Sequence, residues 1–120
     1  MSKKKFDLEE RLIDFAVDVV FFFENLPNNK TTGHLGKQIL RSGTSPSLNY
    51  GEAKSAESKD DFLHKMKVCL KELRESYNCL RILHRTQIYN SEIEILAAIK
   101  ECNELISIFV TSINTASGKK

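Results

Sequence analysis

One segment of this 120-residue chain places apolar residues alternately four and three positions apart. From Ile95 to Ile113 the steps between apolar side chains are four, three, four, three and four. This spacing puts them on one face of an α-helix and is typical of helices that pack lengthwise against each other. It predicts a bundle helix over residues 92–114. Ser91 followed by Glu94 is a capping-box sequence, which predicts where this helix begins.

Two further segments show helical periodicity. The first predicts a helix over residues 7–25, which ends before Pro27 because the residue that precedes a proline disfavours helical conformation. The second predicts a helix over residues 59–85, about 40 Å long, with Ser58 as its N-cap. No segment alternates for long enough to predict a strand. Three helices with short links indicate an antiparallel bundle.

The predicted helix over residues 7–25 is apolar on two sides. Beyond its main stripe it carries Ile13, Val17, Val20 and Phe21. A helix of this kind is buried on both sides, and a chain this small has few helices to cover the second side. We therefore predict that this side contacts another subunit. A half-apolar line on the 59–85 helix suits the same use, and it comprises Val68, Glu72, Glu75, Cys79 and Ile82.

The segment over residues 31–57 combines helical spacing with residues that often interrupt helices. Its inward positions keep steps of four and three from Leu35 to Ala53, straight across Pro46. A loop has no reason to keep that register, so we favour one helix over residues 32–56, strained at Pro46, whose ring removes a backbone hydrogen bond. The alternative is a break, with Pro46 as the first residue of a second helix.

A polar stripe accompanies the inward line of this segment. It comprises Gln38, Arg41, Ser45, Asn49 and Glu52, and Ser42 lies on the inward line beside it. Arg41 and Glu52 are three turns apart, too far to pair within one helix, so each needs a partner elsewhere. Glu72 of a neighbouring helix is a candidate partner for Arg41. The stripe is interpreted either as a polar network that fixes helix register or as a binding site.

The pattern Gln38-x-x-Arg41-Ser42-x-x-Ser45-x-x-x-Asn49-x-x-Glu52 resembles the motif of a family of bacterial four-helix bundle proteins, the 23S rRNA intervening-sequence proteins. Pro27, Phe62 and the pair Glu72-Leu73 also lie where that family places them, and the similarity covers residues 8–115.

The resemblance implies an up-and-down four-helix bundle that assembles into a ring-shaped pentamer, with no established catalytic activity. Family members are often encoded inside inserted segments of ribosomal RNA genes. A related protein, the accessory variability determinant of diversity-generating retroelements, binds nucleic acid and a reverse transcriptase.

The predicted 59–85 helix has a line of cations that suits phosphate binding. The line contains Lys67, Lys71, Arg74, Arg81 and Arg85, with Asn78 in phase with them. It spans about 27 Å and could follow a nucleic-acid backbone. The alternative is an ordinary solvated face, since nearby acids weaken the positive field. No aromatic residues interleave with the cations, so base stacking is not predicted. Basic tails over residues 1–5 and 117–120 either fray or help to anchor phosphates.

Composition and spacing argue against several other classes of protein. The net charge of +2 is too small to imply nucleic-acid binding by itself. Three cysteines without a CxxC pair indicate reduced thiols and a cytoplasmic location. The histidines are dispersed and no catalytic or phosphate-loop motif occurs, so we predict no catalytic residue, metal or cofactor. We see no signal peptide, and the apolar run over residues 19–23 is too short to span a membrane.

These observations predict a single all-α domain over residues 1–120, an antiparallel up-and-down four-helix bundle that forms a homo-oligomer. The leading functional hypothesis is a non-enzymatic adaptor that binds RNA or DNA through the cationic line and the basic tails. The alternative is a scaffold that docks a partner enzyme and binds no nucleic acid. An enzyme would require Arg41, Asn49 and Glu52 to face an open pocket.

Overall fold

The computed structural model describes residues 7–118, which form four α-helices joined by short loops. The helices are α1 (Leu8–Glu24), α2 (Lys30–Lys54), α3 (Lys59–Arg85) and α4 (Glu92–Ala116). Within this range each helix packs against its neighbours in the chain and α1 also packs against α4, whereas no Cα atoms of the diagonal pairs lie within 8 Å of each other. This is the up-and-down four-helix bundle that the sequence predicts. The predicted basic tails lie outside the described residues, apart from residues 117 and 118.

Each helix begins with a side chain that caps its first turn. Asp7, Asn29, Ser58 and Ser91 each accept a hydrogen bond from the backbone N–H three residues further on. Ser58 and Ser91 are the caps that the sequence predicts. α2 begins two residues before its predicted start, because Asn29 is its N-cap.

α2 is one continuous helix through Pro46, as its spacing predicts. Pro46 is buried and has no N–H to donate to the carbonyl of Ser42. The hydroxyls of Thr44 and Ser45 each donate, at 2.7 Å, to the carbonyl four residues earlier. The Cys69 thiol of α3 donates to the Pro46 carbonyl at 3.5 Å. Polar side chains thus donate hydrogen bonds to backbone carbonyls before the proline and to that of the proline itself.

Two glycines of α2 allow α1 to approach closely. A Cβ built on Gly43 would lie 2.8 Å from Cγ2 of Val19, and one built on Gly36 would overlap the ring of Phe23. Real Cβ atoms do not come that close to a neighbour. Both positions therefore require glycine for packing, despite its low helix propensity.

The core runs along the middle of the bundle and is mainly aliphatic. Its largest fully buried side chains are Leu12, Phe15, Val19, Ile39, Pro46, Met66, Leu73, Leu80, Leu83, Ile95, Leu105 and Phe109. Tyr50 closes one part of this core, with its ring edge-on to Phe109 at a centroid distance of 6.0 Å. Of the six-residue apolar stripe predicted for α4, five residues are buried and Ile99 is half-buried. No helix between residues 7 and 118 has the length and hydropathy that crossing a membrane requires.

Candidate functional site

The outer face of α3 carries five cations that we call the cationic face: Lys67, Lys71, Arg74, Arg81 and Arg85. Steps of four, three, seven and four residues keep them on one side of the helix. Four of them are exposed and Arg81 is half-buried. The face extends from residue 67 to residue 85, about 27 Å along the helix axis.

None of these five cations forms an ion pair within the described part of the chain. The guanidinium of Arg81 lies 5.3 Å from the centroid of the Tyr77 ring, a cation–π contact that leaves its charge uncompensated by any carboxylate. Other cations of the bundle do meet carboxylates, and these are Arg11, Arg41, Lys54 and Lys65. The cationic face is therefore a line of accessible positive charge, which suits phosphate groups.

The acids expected to weaken this face are engaged elsewhere. Nη1 of Arg41 donates to Oε1 of Glu72 at 2.8 Å, and its Nη2 contacts the carboxylate of Glu75. Nη2 also donates to Oε1 of Gln38 at 3.3 Å. The Arg41–Glu72 pair forms within one chain and joins α2 to α3. Glu72 and Glu75 therefore both face α2.

Glu52 of the polar stripe and Ser42 beside it also contact α3. The Nζ atom of Lys65 lies 3.1 Å from Oε1 of Glu52. The hydroxyls of Ser42 and Ser76 form a buried hydrogen bond between α2 and α3. Ser45 and Asn49 are half-buried, with the Ser45 hydroxyl bonded to the carbonyl of Arg41. Such bonds at fixed positions along two antiparallel helices set the register between them.

The second side of α1 is left uncovered by the chain. Ile13, Val17, Val20 and Phe21 are all exposed, Phe21 to 63%. They line a shallow groove of about 290 Å³ together with Ala16 and Ser47. Leu48 of α2 is a further exposed apolar side chain, at 69%, that sequence reasoning missed.

The second predicted interface line lies on α3, and α2 covers part of it. Val68 is half-buried and Ile82 is 48% exposed. Cys79 is 6% exposed, and its thiol donates to the carbonyl of Leu35 at 3.5 Å. The expectation that Cys79 lies on an exposed contact surface is wrong, because α2 covers that side of α3.

The three cysteine thiols are structural groups of the core. Burial raises the pKa of Cys69 and of Cys102 to about 12 and that of Cys79 to about 11. Each thiol donates to a backbone carbonyl of another helix. A thiol of this kind is almost entirely protonated at neutral pH and is a poor nucleophile. Within residues 7–118, no three His, Cys, Asp or Glu side chains are grouped so as to hold a metal ion.

A larger groove, of about 660 Å³, lies between α1 and α4. These two helices are the least closely packed neighbours of the bundle. Its base consists of buried apolar side chains, Phe15, Val19, Phe22 and Leu80, and its more accessible apolar lining consists of Phe21, Ala97 and Ala98. Four acids also line it: Asp14, Asp18, Glu94 and Glu101. Sequence reasoning missed this groove because its acids come as two pairs from segments far apart in the chain, and only the packing of α1 beside α4 brings the pairs together.

Four antiparallel helices, a polar network between α2 and α3 and a cationic outer face define a small all-α bundle protein. The chain belongs to the 23S rRNA-intervening sequence protein family, whose pattern it matches over residues 4–111. The family resemblance noted in the sequence is thereby confirmed.

Comparison with solved structures gives the same result. The chain is similar to a protein of unknown function from the S23 ribosomal protein family of Bacteroides thetaiotaomicron VPI-5482. The two share 32% sequence identity and superpose with a TM-score of 0.81, over 88% of this chain and 97% of that chain. A search of curated proteins found no match.

Proposed function

We propose that this protein is a non-enzymatic, oligomeric adaptor of the cytoplasm that binds RNA or DNA through the cationic face of α3. The observation that carries the proposal is that five cations without an acidic partner among the described residues share one face of α3. Arg11, Arg41, Lys54 and Lys65 meet carboxylates, whereas the five of the cationic face have no acidic partner within residues 7–118. Phosphates spaced along a nucleic acid are counter-ions that fit such a line.

Two further observations support a nucleic-acid partner. The family description refers to 23S ribosomal RNA, which associates its members with RNA-coding sequence. The acids near the cationic face bind Arg41 on the α2 side, so they leave its positive field in place.

A homo-oligomer is supported by the uncovered side of α1. Ile13, Val17, Val20 and Phe21 form an apolar strip of a kind that soluble proteins usually bury against a partner. The family resemblance favours a ring of five copies. A ring presents several copies of the cationic face, and multivalent attachment strengthens binding without any new contact.

The absence of a catalytic role is supported by the state of the polar residues. Arg41 and Glu52 are held in ion pairs with α3 residues. Neither groove described above is lined by Arg41, Asn49 or Glu52. The three thiols have raised pKa values and lack the electropositive surroundings that activate a cysteine.

The test measures binding of fluorescein-labelled RNA and DNA by anisotropy at several salt concentrations, with light scattering on the same samples. We expect the affinity to fall steeply with salt, with a log–log slope of about −3 to −5 if four or five phosphates are contacted per copy. Replacing Lys71, Arg74 and Arg81 by Glu should abolish binding and leave the molar mass unchanged.

The matched control carries three charge reversals outside the cationic face. They are Lys30→Glu, Lys59→Glu and Lys100→Glu, all at exposed positions. We expect this variant to keep most of the affinity. If the intact oligomer binds no nucleic acid at low salt, or if both triple variants lose affinity equally, the nucleic-acid proposal is refuted.

The second candidate is a protein scaffold that docks a partner enzyme. The apolar strip of α1 favours this candidate in the case that light scattering shows the protein to be a single chain in solution. In that case the strip is free to receive another protein, and loss of the partner in a Val17→Asp variant would identify it as the docking surface, because Val17 lines the strip and not the groove between α1 and α4.

A further inference from the structure

The groove between α1 and α4 has two acidic banks and an apolar floor. Asp14 and Asp18 are one helical turn apart on α1, and Glu94 and Glu101 are two turns apart on α4. Between them lie the buried side chains of Phe15, Val19, Phe22 and Leu80, and the apolar lining that a partner can reach is Phe21, Ala97 and Ala98. The lining part of α1, from residue 14 to residue 25, is about 16 Å long. The groove therefore has the length of about three turns of a docked helix.

The charge of this groove is almost entirely negative. All four charged residues that line it are acids. Glu101 is bound by Arg11, with distances of 2.6 and 3.0 Å to its two carboxylate oxygens. Asp14, Asp18 and Glu94 have no ion-pair partner within residues 7–118. Three carboxylates thus remain uncompensated beside apolar surface.

The surroundings of Asp18 in this groove disfavour its charged form. Its pKa is raised, first by partial burial and then by the negative charges of Asp14, Glu101 and Glu94. A cation bound between the banks would relieve this repulsion, whereas a phosphate would increase it. The groove consequently suits a different class of partner from the cationic face.

We propose that the groove between α1 and α4 docks a basic amphipathic helix of another protein, with its apolar stripe on the floor and lysines or arginines against both acidic banks. Helices with apolar residues at positions i, i+3, i+4 and i+7 bind grooves of this kind. Charge complementarity determines the choice of occupant, because cations flanking an apolar stripe on both sides match Asp14 and Asp18 on one bank and Glu94 on the other. This proposal does not depend on nucleic-acid binding by α3.

The test uses a fluorescein-labelled synthetic peptide of 14 residues, with leucines at the four groove-facing positions and lysines on both flanks. We expect saturable binding of one peptide per chain, measured by anisotropy, and lower affinity at higher salt. A scrambled peptide of the same composition should bind about tenfold more weakly or worse, because its apolar residues no longer share one face.

Two protein variants locate the site. Asp18→Lys combined with Glu94→Lys should reduce the affinity about tenfold or more, and Ala97→Trp should block the groove at an exposed lining position. The matched control, Glu57→Lys with Asp60→Lys, makes the same charge change outside the groove and should bind normally. Circular dichroism of each variant verifies that the helices form.

Three results would overturn the proposal. The first is absence of saturable binding by the folded protein at low salt. The second is equal loss of affinity in the groove variant and in its control. The third is loss of peptide binding in Val17→Asp but not in the groove variants, which would place the peptide on the apolar strip of α1. A change of molar mass caused by Ala97→Trp alone would show that a second copy of this chain occupies the groove, and this too contradicts the proposal.

Discussion

The hydroxyl oxygens of Ser42 and Ser76 lie 2.9 Å apart, fully buried between α2 and α3. The Ser76 hydroxyl is also 3.0 Å from the carbonyl of Glu72 in its own helix. A chain of hydroxyl to hydroxyl to carbonyl therefore satisfies both serines without water. It provides a polar link at one fixed position in the most extensive helix contact of the bundle.

We expect Ser76→Ala to destabilise the protein more than Ser42→Ala. The Ser76 variant leaves the buried Ser42 hydroxyl without its partner, at a cost of about 1–2 kcal/mol. In the Ser42→Ala variant, the Ser76 hydroxyl still donates to the carbonyl of Glu72, so that hydroxyl is not left unpaired. The double variant should cost less than the sum of the single variants, because no hydroxyl is then left unpaired. Urea denaturation of the four proteins measures this coupling, and strictly additive values would contradict the contact.

The glycines of α2 are expected to respond to alanine in opposite directions. Gly43→Ala should destabilise by about 1–3 kcal/mol, because its Cβ meets Val19 of α1. Gly51→Ala should stabilise by up to about 1 kcal/mol, because nothing lies within 4 Å of its Cβ position and alanine favours the helix. Thermal denaturation of both variants checks the signs. A stabilised Gly43→Ala protein would mean that α1 and α2 are further apart than described.

The buried thiols should make the protein less stable in alkali. The folded-state pKa values of about 11 to 12 exceed the ordinary value of 9.0. The unfolded chain therefore releases these protons first, and stability is lost as the pH rises from about 9 towards 12. Urea titrations between pH 8 and pH 10.5 should show the decline, and Cys102→Ala should reduce it.

Thiol reagents provide an independent check of the same burial. At pH 8 we expect the folded protein to react at least about a hundredfold more slowly than the denatured chain with a disulfide reagent, since thiolate and access are both suppressed. Rapid reaction of one thiol in the folded state would show that its helix contact opens readily.

Asp18→Asn should stabilise the folded protein at neutral pH. Because the folded-state pKa of Asp18 is raised, its ionised form is disfavoured by the fold, and this cost applies at pH values above that pKa. We expect a rise in Tm of about 1–3 °C at pH 7, because asparagine removes a charge that partial burial, and then the neighbouring acids, disfavour. The difference should vanish as the pH falls below the ordinary pKa of an aspartate. Asp60→Asn, outside the groove, is the control and should show no such gain.

Sequence spacing was sufficient to predict the elements of the fold. The alternation of four and three residues identified α4, and the same alternation carried α2 through Pro46. It succeeded there because side-chain spacing records which positions face the core, and a local proline does not alter that requirement. The Asn29 cap was missed, since an asparagine in a polar loop looks like any other turn residue.

The candidate sites were predicted less evenly. The cations of α3 share a face because they belong to one helix, so their alignment was readable from spacing alone. Spacing could not show that these cations lack acidic partners within residues 7–118. Glu72 and Glu75 are close to them in sequence, yet both bind Arg41 of α2. The burial of Cys79 could not be predicted for the same reason. A helical projection gives the side of α3 on which Cys79 lies, but not which helix covers that side.

The sequence by itself determined the four helices, their inward faces and the family, because each depends on the order of residues within one segment. Only the tertiary structure decided which charges are neutralised, which apolar side chains stay exposed on α1, and that α1 and α4 enclose an acidic groove. Each of these depends on the distance between side chains remote in the chain, and the close packing of the helices sets those distances.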